Sequence, residues 1–101
     1  MDFKIVWTEP AIENLGEIVA YIAQDNPDAA KRVGFEIISH VEALGSHPFI
    51  GVHYPRGSQS GDREILYRSY RIFYRVFDDR KLVEILVIWH SARQDPSLPW
   101  R

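Results

Sequence analysis

The sequence has 101 residues and a formal net charge of −2, and 46% of its residues are apolar. We expect one domain covering residues 1–101, because this is a common length for a single domain. The apolar content excludes intrinsic disorder, and the absence of cysteine excludes disulfides and thiolate metal sites. With no secretory signal and no bilayer-spanning apolar run, the sequence predicts a cytoplasmic protein. The mildly acidic balance gives no overall field that would attract nucleic acid.

The first predicted elements are a short strand and a helix. Large apolar residues alternate in Phe3–Trp7, which is typical of a strand. Thr8 is suited to cap the following helix, because its hydroxyl accepts hydrogen bonds from first-turn amides and Pro10 lacks the amide that would need one. The helix is predicted to end near Asp25. Its apolar stripe consists of Ile12, Leu15, Ile18, Val19 and Ile22.

A second helix is predicted directly after the first. Asn26 is a favourable cap, and Pro27 presets the backbone angle of the first helical position. Gly45 and Pro48 end this helix. Because the break between the two helices is so short, they are expected to form an antiparallel hairpin. Apolar residues recur at spacings of three and four: Ala30, Val33, Ile37, Val41 and Leu44.

The remainder of the chain is predicted to be a long loop followed by three strands. Glycine, proline and serine are frequent from Pro48 to Asp62, which indicates a surface loop of the length that is usually functional or mobile. A tight turn at Asp79-Arg80 places Phe77 opposite Leu82. The three strands are Arg63–Tyr67, Tyr70–Phe77 and Leu82–His90.

The predicted register of the last two strands sorts their side chains onto two faces. On the face away from the helices, Arg75 pairs with Glu84, whereas Arg71 has no carboxylate opposite it and lies diagonal to His90. An arginine beside an imidazole makes a candidate anion site, and a solvated strand arginine is the alternative. A one-residue slip would exchange the faces. The other predicted cross-strand pairs on this face are Phe73–Leu86, Arg71–Ile88 and Ser69–His90. The face predicted to pack on the helices carries Tyr70, Ile72, Tyr74, Val76, Val83, Ile85, Val87 and Trp89.

Other polar residues give weaker indications of chemistry. The four histidines lack the spacing of a metal site, so neither a metal nor a cofactor is expected. Ser58 and Ser60 have no nearby base, which argues against a serine nucleophile. His90 at a strand end is suited to proton transfer, to a phosphate contact or to hydrogen bonding with a carbonyl.

Four segments stand in a recognisable order: the helix break at 25–27, the loop at 47–51, the strand segment 70–76 and the ending 89–93. Together they resemble the RelE/ParE superfamily of toxins, over roughly residues 3–95. The resemblance implies an α+β fold in which a helical hairpin packs on a mostly antiparallel four-stranded sheet, in the order β-α-α-β-β-β. It also implies the toxin of a type II toxin–antitoxin pair, held inactive by a cognate antitoxin in a hetero-oligomer.

The resemblance leaves two branches that differ in target. RelE-like members cleave mRNA on the ribosome, and Arg71 matches their strand arginine, with Arg93 an approximate match to a later one. Their C-terminal tyrosine has no counterpart, because Pro99 and Trp100 lie near its place. The loop and the ending are more similar to ParE, whose members poison DNA gyrase. We therefore favour a ParE-like toxin, with a RelE-like nuclease and a non-toxic binding module as alternatives.

The sequence also predicts the residues of the working surface. Arg71, His90 and Arg93 are the catalytic candidates if the protein is a nuclease. A loop and tail carrying apolar groups outside the predicted core indicate a partner interface. Those apolar groups are Phe49, Tyr54, Leu98 and Trp100, and the predicted target- or antitoxin-binding set is Arg71, Arg75, His90, Arg93 and Trp100.

Overall fold

The computed structural model describes residues 2–58 and 61–90 and contains two helices and five strands in this part of the chain. Neither helix is long and apolar enough to cross a lipid bilayer. In chain order the elements are β1 (Lys4–Trp7), α1 (Glu9–Ala23), α2 (Pro27–Glu42), a 3-10 turn (Ala43–Gly45), β2 (Val52–His53), β3 (Asp62–Tyr67), β4 (Tyr70–Phe77), a second 3-10 turn (Asp78–Arg80) and β5 (Leu82–His90).

Both helices begin at the capping residues predicted from the sequence. The Thr8 hydroxyl accepts a hydrogen bond from the Ala11 amide at 3.3 Å, and the Asn26 side chain accepts one from the Ala29 amide at 3.0 Å. Each cap satisfies an amide that has no acceptor within its own helix. The cap positions and the helical hairpin are therefore confirmed.

The sheet has five strands, in the spatial order β1-β5-β4-β3-β2. β1 runs parallel to β5, and the other neighbours are antiparallel. The expectation of four strands was one too few, because the segment predicted as a long loop contributes the short strand β2. Gly51 anchors that strand, since its amide donates to the Tyr74 hydroxyl at 2.9 Å. A side chain at Gly51 would lie 2.6 Å from the Glu64 carbonyl oxygen, which explains the glycine.

The main core lies between the two helices and one face of the sheet. Ile37 on α2 and Ile72, Tyr74 and Ile85 on the central strands are completely buried. Burying each large aliphatic side chain contributes about 1.5–3 kcal/mol, so this face supplies much of the driving force for folding. Partly buried residues from the first part of the chain add to it: Phe3, just before β1, and Ile5, Trp7, Leu15, Ile18 and Ile22 in β1 and α1.

The register of β4 and β5 agrees with the sequence prediction only near the turn. Phe77 lies opposite Leu82 and Arg75 opposite Glu84, as expected. A β-bulge then interrupts the pairing between Phe73 and Tyr74. The Thr8 hydroxyl donates to the Ile85 carbonyl oxygen at 2.7 Å and lies 3.1 Å from that of the bulged residue Leu86. The N-cap of α1 therefore holds the bulge in place.

The bulge moves the last residues of β5 by one position relative to the predicted pairing. Arg71 lies opposite Trp89, and Tyr70 lies opposite His90, so the predicted pairs Arg71–Ile88, Ser69–His90 and Phe73–Leu86 are wrong. Ile88 belongs to the helix-facing core, whereas Val87 and Trp89 pack against Phe73 and Leu86 on the opposite face. One extra residue on a strand reverses which side chains face the helices beyond it.

Candidate functional site

The face of the sheet away from the helices carries a buried ion pair between Arg71 and Glu64. The Arg71 Nε and Nη2 atoms each lie 2.8 Å from Glu64 Oε2. Only 14% of the Arg71 side chain and 3% of the Glu64 side chain are exposed. The expectation that Arg71 has no carboxylate partner is therefore wrong, because β3 supplies one from the strand that the sequence analysis did not pair with it.

A second ion pair lies beside the first. The Arg75 Nε donates to Asp62 Oδ1 at 2.6 Å, and the Asp62 side chain is 1% exposed. Glu84 lies directly across from Arg75 in the β4–β5 register, but the Arg75 side chain forms its ion pair with Asp62, on the other side of β4. Asp62 and Glu64 are two residues apart on β3 and therefore share a face. The four residues Asp62, Glu64, Arg71 and Arg75 form what we call the arginine–carboxylate cluster.

Aromatic rings pack under the guanidinium group of Arg71. Its carbon Cζ lies 4.9 Å from the ring centroid of Phe73 and 5.7 Å from that of Tyr54. These distances allow cation–π attraction, which adds to the ion pair with Glu64. Tyr54 is 6% exposed and packs edge-on against Phe73. The expectation that Tyr54 contributes to an exposed apolar surface is therefore wrong, whereas Phe49 is 50% exposed as expected.

His90 lies on the other side of the sheet from the arginine–carboxylate cluster. Its ring makes an edge contact with Tyr70 at a centroid distance of 5.4 Å, and it lines a cleft of about 670 Å³ beside α1 together with Glu17 and Tyr21. The predicted juxtaposition of Arg71 and His90 is therefore wrong, because the bulge turns His90 toward the helices. Arg93, Trp100 and Leu98 lie outside the described residues.

A groove lies beside the outer edge of β3. β2 pairs only with Arg63 and Glu64 of β3, so on this outer side no strand among residues 2–58 and 61–90 pairs with Leu66, whose inner side pairs with Arg71 of β4. The Asp62 carbonyl oxygen accepts a hydrogen bond from the amide of Tyr54, the residue that follows β2, so it points away from β4. Backbone groups of alternate residues in a strand point to the same side, so those of Leu66 also point outward. The groove is about 430 Å³ in volume, and its lining includes Ile50, Val52, Leu66, His40, His47 and Arg56.

The groove lining combines an apolar floor with basic groups. Leu66 is 60% exposed and Ile50 is 68% exposed, which is unusual for large aliphatic residues close together. Arg56 is 76% exposed at the rim, where its Nη2 lies 3.7 Å from Glu64 Oε1. The sequence contains a signal for this surface that was not used. Leu66 interrupts the alternation of β3 by placing an apolar side chain on the face that carries Asp62 and Glu64.

Close to this groove, Tyr67 and Glu36 form a hydrogen-bonded pair that sequence reasoning missed. The Tyr67 hydroxyl donates to Glu36 Oε1, and Arg68 Nη2 lies 3.6 Å from the same oxygen. The hydrogen bond from Tyr67 and the nearby positive charges of Arg68 and Arg32 hold the pKa of Glu36 below its usual value. Burial and the bond to Glu36 raise the pKa of Tyr67. The two partners are 31 residues apart, so no local pattern indicates the contact.

The described residues contain no group of three or more side chains that could hold a metal ion. His40 and His47 line the groove, and His53 Nε2 lies 3.3 Å from Arg63 Nη2.

Comparisons with known proteins give one consistent relationship. Residues 5–95 match the family model described as "ParE toxin of type II toxin-antitoxin system, parDE". The chain is 39% identical over 97 residues to a curated protein of Sinorhizobium fredii named "Putative toxin Y4kP", and the match covers 94% of this chain and 95% of that protein.

Solved structures share the fold at lower identity. The chain superposes on a chromosomal ParDE toxin–antitoxin system from P. aeruginosa with a TM-score of 0.72 and 24% identity, covering 87% of this chain and 95% of that one. It is also similar to the RelBE2 toxin–antitoxin complex of Mycobacterium tuberculosis, with a TM-score of 0.67 and 20% identity over 89% of this chain and 99% of that one. Both similarities support the α+β fold of two helices packed on one sheet.

Proposed function

The chain belongs to the ParE toxin family of type II toxin–antitoxin systems, and on that premise we propose that it inhibits growth by binding a protein target, with DNA gyrase as the leading candidate. The observation that carries this proposal is the closed ion pair of Arg71 with Glu64. A nuclease would need an arginine that is open to the scissile phosphate.

Separating Arg71 from Glu64 would be energetically unfavourable. A phosphate that reached Arg71 would have to displace a carboxylate that is 3% exposed, and the buried charge of Glu64 would then face the exposed Arg56 at 3.7 Å in place of the close contact with Arg71. An uncompensated buried charge costs several kcal/mol in proteins. The pair therefore favours a structural role for Arg71 over phosphate binding.

The overall charge of the chain supports the same proposal. Binding to RNA depends on neutralising several phosphates with lysine and arginine. This chain has a net charge of −2, and Arg71 and Arg75 are each held by a carboxylate on β3. A protein target requires no such excess of positive charge. Arg75, with 28% of its side chain exposed, remains a proposed contact residue.

The test compares the two targets with the same protein preparation. Purified toxin is added to gyrase with supercoiled plasmid, and separately to a translation extract whose mRNA ends are mapped. We expect accumulation of cleaved gyrase–DNA complexes and intact mRNA, and purified antitoxin added in excess should abolish the gyrase effect. Codon-periodic mRNA cuts with normal supercoiling would instead establish the RelE-like nuclease. An absence of both effects would leave a non-toxic binding module.

We further propose that the antitoxin occupies the groove beside β3. An extended segment of a partner can add a strand to an open sheet edge, where backbone hydrogen bonds give affinity and side-chain pockets give specificity. Leu66 provides such an edge, and the exposed side chains of Ile50 and Val52 provide an apolar floor. The exposed Arg56 at the rim favours a segment that carries acidic residues.

Substitution of Leu66 tests this groove. Leu66→Pro removes the outward-facing amide, and proline is tolerated on edge strands. We expect this variant to remain toxic and to escape neutralisation by the antitoxin. Leu66→Thr is the matched control, because it shortens the side chain but keeps the amide. The antitoxin should neutralise this variant more effectively than it neutralises Leu66→Pro. Equal neutralisation of the proline variant and the wild type would show that the antitoxin binds elsewhere.

A further inference from the structure

The outer surface of α2 carries two exposed apolar side chains that no described element covers. Phe35 is 73% exposed and Ile38 is 36% exposed. Residues three apart on a helix are neighbours on its surface, so these two side chains form one patch. Large apolar groups that lie together on a surface mark an interface.

Charged residues flank this patch at equal distances. Lys31 lies four residues before Phe35, and Glu42 lies four residues after Ile38, and both are exposed. At 1.5 Å per residue, Lys31 and Glu42 are about 16 Å apart along the helix axis, with the apolar pair centred between them. All four residues fall within about 60° around the axis, because they follow spacings of three and four.

We propose that this stripe binds a second copy of the chain, with the two α2 helices packed antiparallel across a two-fold axis. The axis passes midway between Phe35 and Ile38. It places Phe35 against the partner's Ile38 and Lys31 opposite the partner's Glu42, and symmetry repeats both contacts. The interface is self-complementary in shape and in charge.

The charge pattern distinguishes this arrangement from others. A parallel pair would place Lys31 beside the partner's Lys31, and Glu42 beside the partner's Glu42. Like charges at such distances repel, whereas the antiparallel pair brings opposite charges together. The order of the charges along α2 therefore selects the antiparallel arrangement.

The interface is small and leaves the proposed antitoxin groove accessible. One helix pair buries less area than the ~1,600 Å² of a typical stable complex, so we expect weak, concentration-dependent association. His40, which lines the groove, is five residues beyond Phe35 and therefore about 140° away around the helix axis. The association does not depend on the proposed target.

Sedimentation equilibrium of the purified chain over a concentration series tests the proposal. We expect the wild type to self-associate and Phe35→Ser to weaken the association at least about tenfold, because it removes the apolar centre of the interface. Lys31→Glu should weaken it about fivefold by making two attractive pairs repulsive. Lys31→Glu combined with Glu42→Lys should restore it. Lys4→Glu, an equal charge change on the exposed side chain in β1, is the control and should have no effect.

Three outcomes would overturn the proposal. The first is a wild type that stays monomeric at every concentration, and the second is a double charge reversal that associates no better than the single reversal. The third is a Phe35→Ser variant that self-associates like the wild type but no longer binds the antitoxin, which would assign the stripe to the antitoxin. Circular dichroism of each variant checks that it folds, which is expected because Phe35 and Lys31 are exposed and lie outside the core.

Discussion

The two faces of the sheet are held by different interactions. The helix-covered face is closed by apolar side chains such as Ile72 and Ile85, which need only the right size and position. The opposite face buries Glu64 and Asp62, and each carboxylate is held by an arginine of the next strand. A buried charge must have its partner, whereas a buried methyl group tolerates many neighbours. The charged face is therefore the more sensitive to single substitutions.

The largest effect is expected where one partner of the charged face is removed. Glu64→Ala leaves the Arg71 guanidinium largely buried without its carboxylate, which costs about 3–5 kcal/mol of stability. Urea unfolding monitored by tryptophan fluorescence measures the change in free energy of unfolding.

Glu13→Ala is the matched control, because Glu13 is an exposed glutamate on α1. Its effect should stay within about 0.5 kcal/mol. A Glu64→Ala variant as stable as this control would show that the charged face is not sensitive to the loss of this carboxylate.

The second prediction concerns the apolar face. Ile72 is completely buried against the helices, so Ile72→Ala removes three buried carbon atoms and leaves a cavity. The expected loss is about 2–5 kcal/mol, and Ile72→Val should cost about 0.5–1.5 kcal/mol. The same unfolding experiment measures both. A smaller loss of stability for Ile72→Val than for Ile72→Ala would show that this face responds in proportion to the volume removed, which would sharpen the comparison with Glu64. Equal losses for alanine and valine would contradict it.

The third prediction concerns a hydrogen bond at the border of the apolar face. Tyr74→Phe removes the hydroxyl that accepts from the buried Gly51 amide, and an unsatisfied buried donor costs about 1–3 kcal/mol. Burial raises the pKa of Tyr74, so its hydroxyl stays protonated at neutral pH. Tyr21→Phe is the control, because Tyr21 is 71% exposed. Identical unfolding curves for the two variants would show that the Gly51 contact contributes nothing.

The smallest effect is expected at the hydrogen bond between Tyr67 and Glu36. The lowered pKa of Glu36 means that its contribution to stability is present at neutral pH and is lost as the pH falls through that lowered value. Tyr67→Phe removes the main cause, so the pKa of Glu36 should rise toward its ordinary value. Carboxyl NMR chemical shifts followed over pH measure this change. An unaltered pKa in Tyr67→Phe would show that Arg68 and the other nearby charges alone lower it.

The sequence was sufficient for features that depend on neighbouring residues. Thr8 and Asn26 cap their helices as predicted, because a cap acts on amides within the next three residues. The register next to the β4–β5 turn is also as predicted, with Phe77 opposite Leu82. The family resemblance gave the arrangement of helices and sheet, and the structure adds the short strand β2.

Features that depend on distant contacts could not be predicted. The bulge in β5 is held by Thr8, which is 77 residues from Ile85 in sequence. Because the bulge shifts the register, His90 lies on the opposite face of the sheet from Arg71. The carboxylate that pairs with Arg71 is Glu64 on β3, which lies diagonally across the β3–β4 pairing and outside the β4–β5 hairpin. Alternation of residue types shows which side chains share a face, but it does not identify which charges meet.

The most direct test of the account replaces the ion pair as a unit. Arg71→Met combined with Glu64→Met fills a similar volume with apolar groups, and such replacements of buried ion pairs are often neutral or stabilising. If Arg71 has a structural role, the double variant should unfold at a similar urea concentration to the wild type and should still arrest growth on expression without antitoxin. A double variant that folds as stably as the wild type but no longer inhibits growth would contradict the account, because the guanidinium would then act on the target itself.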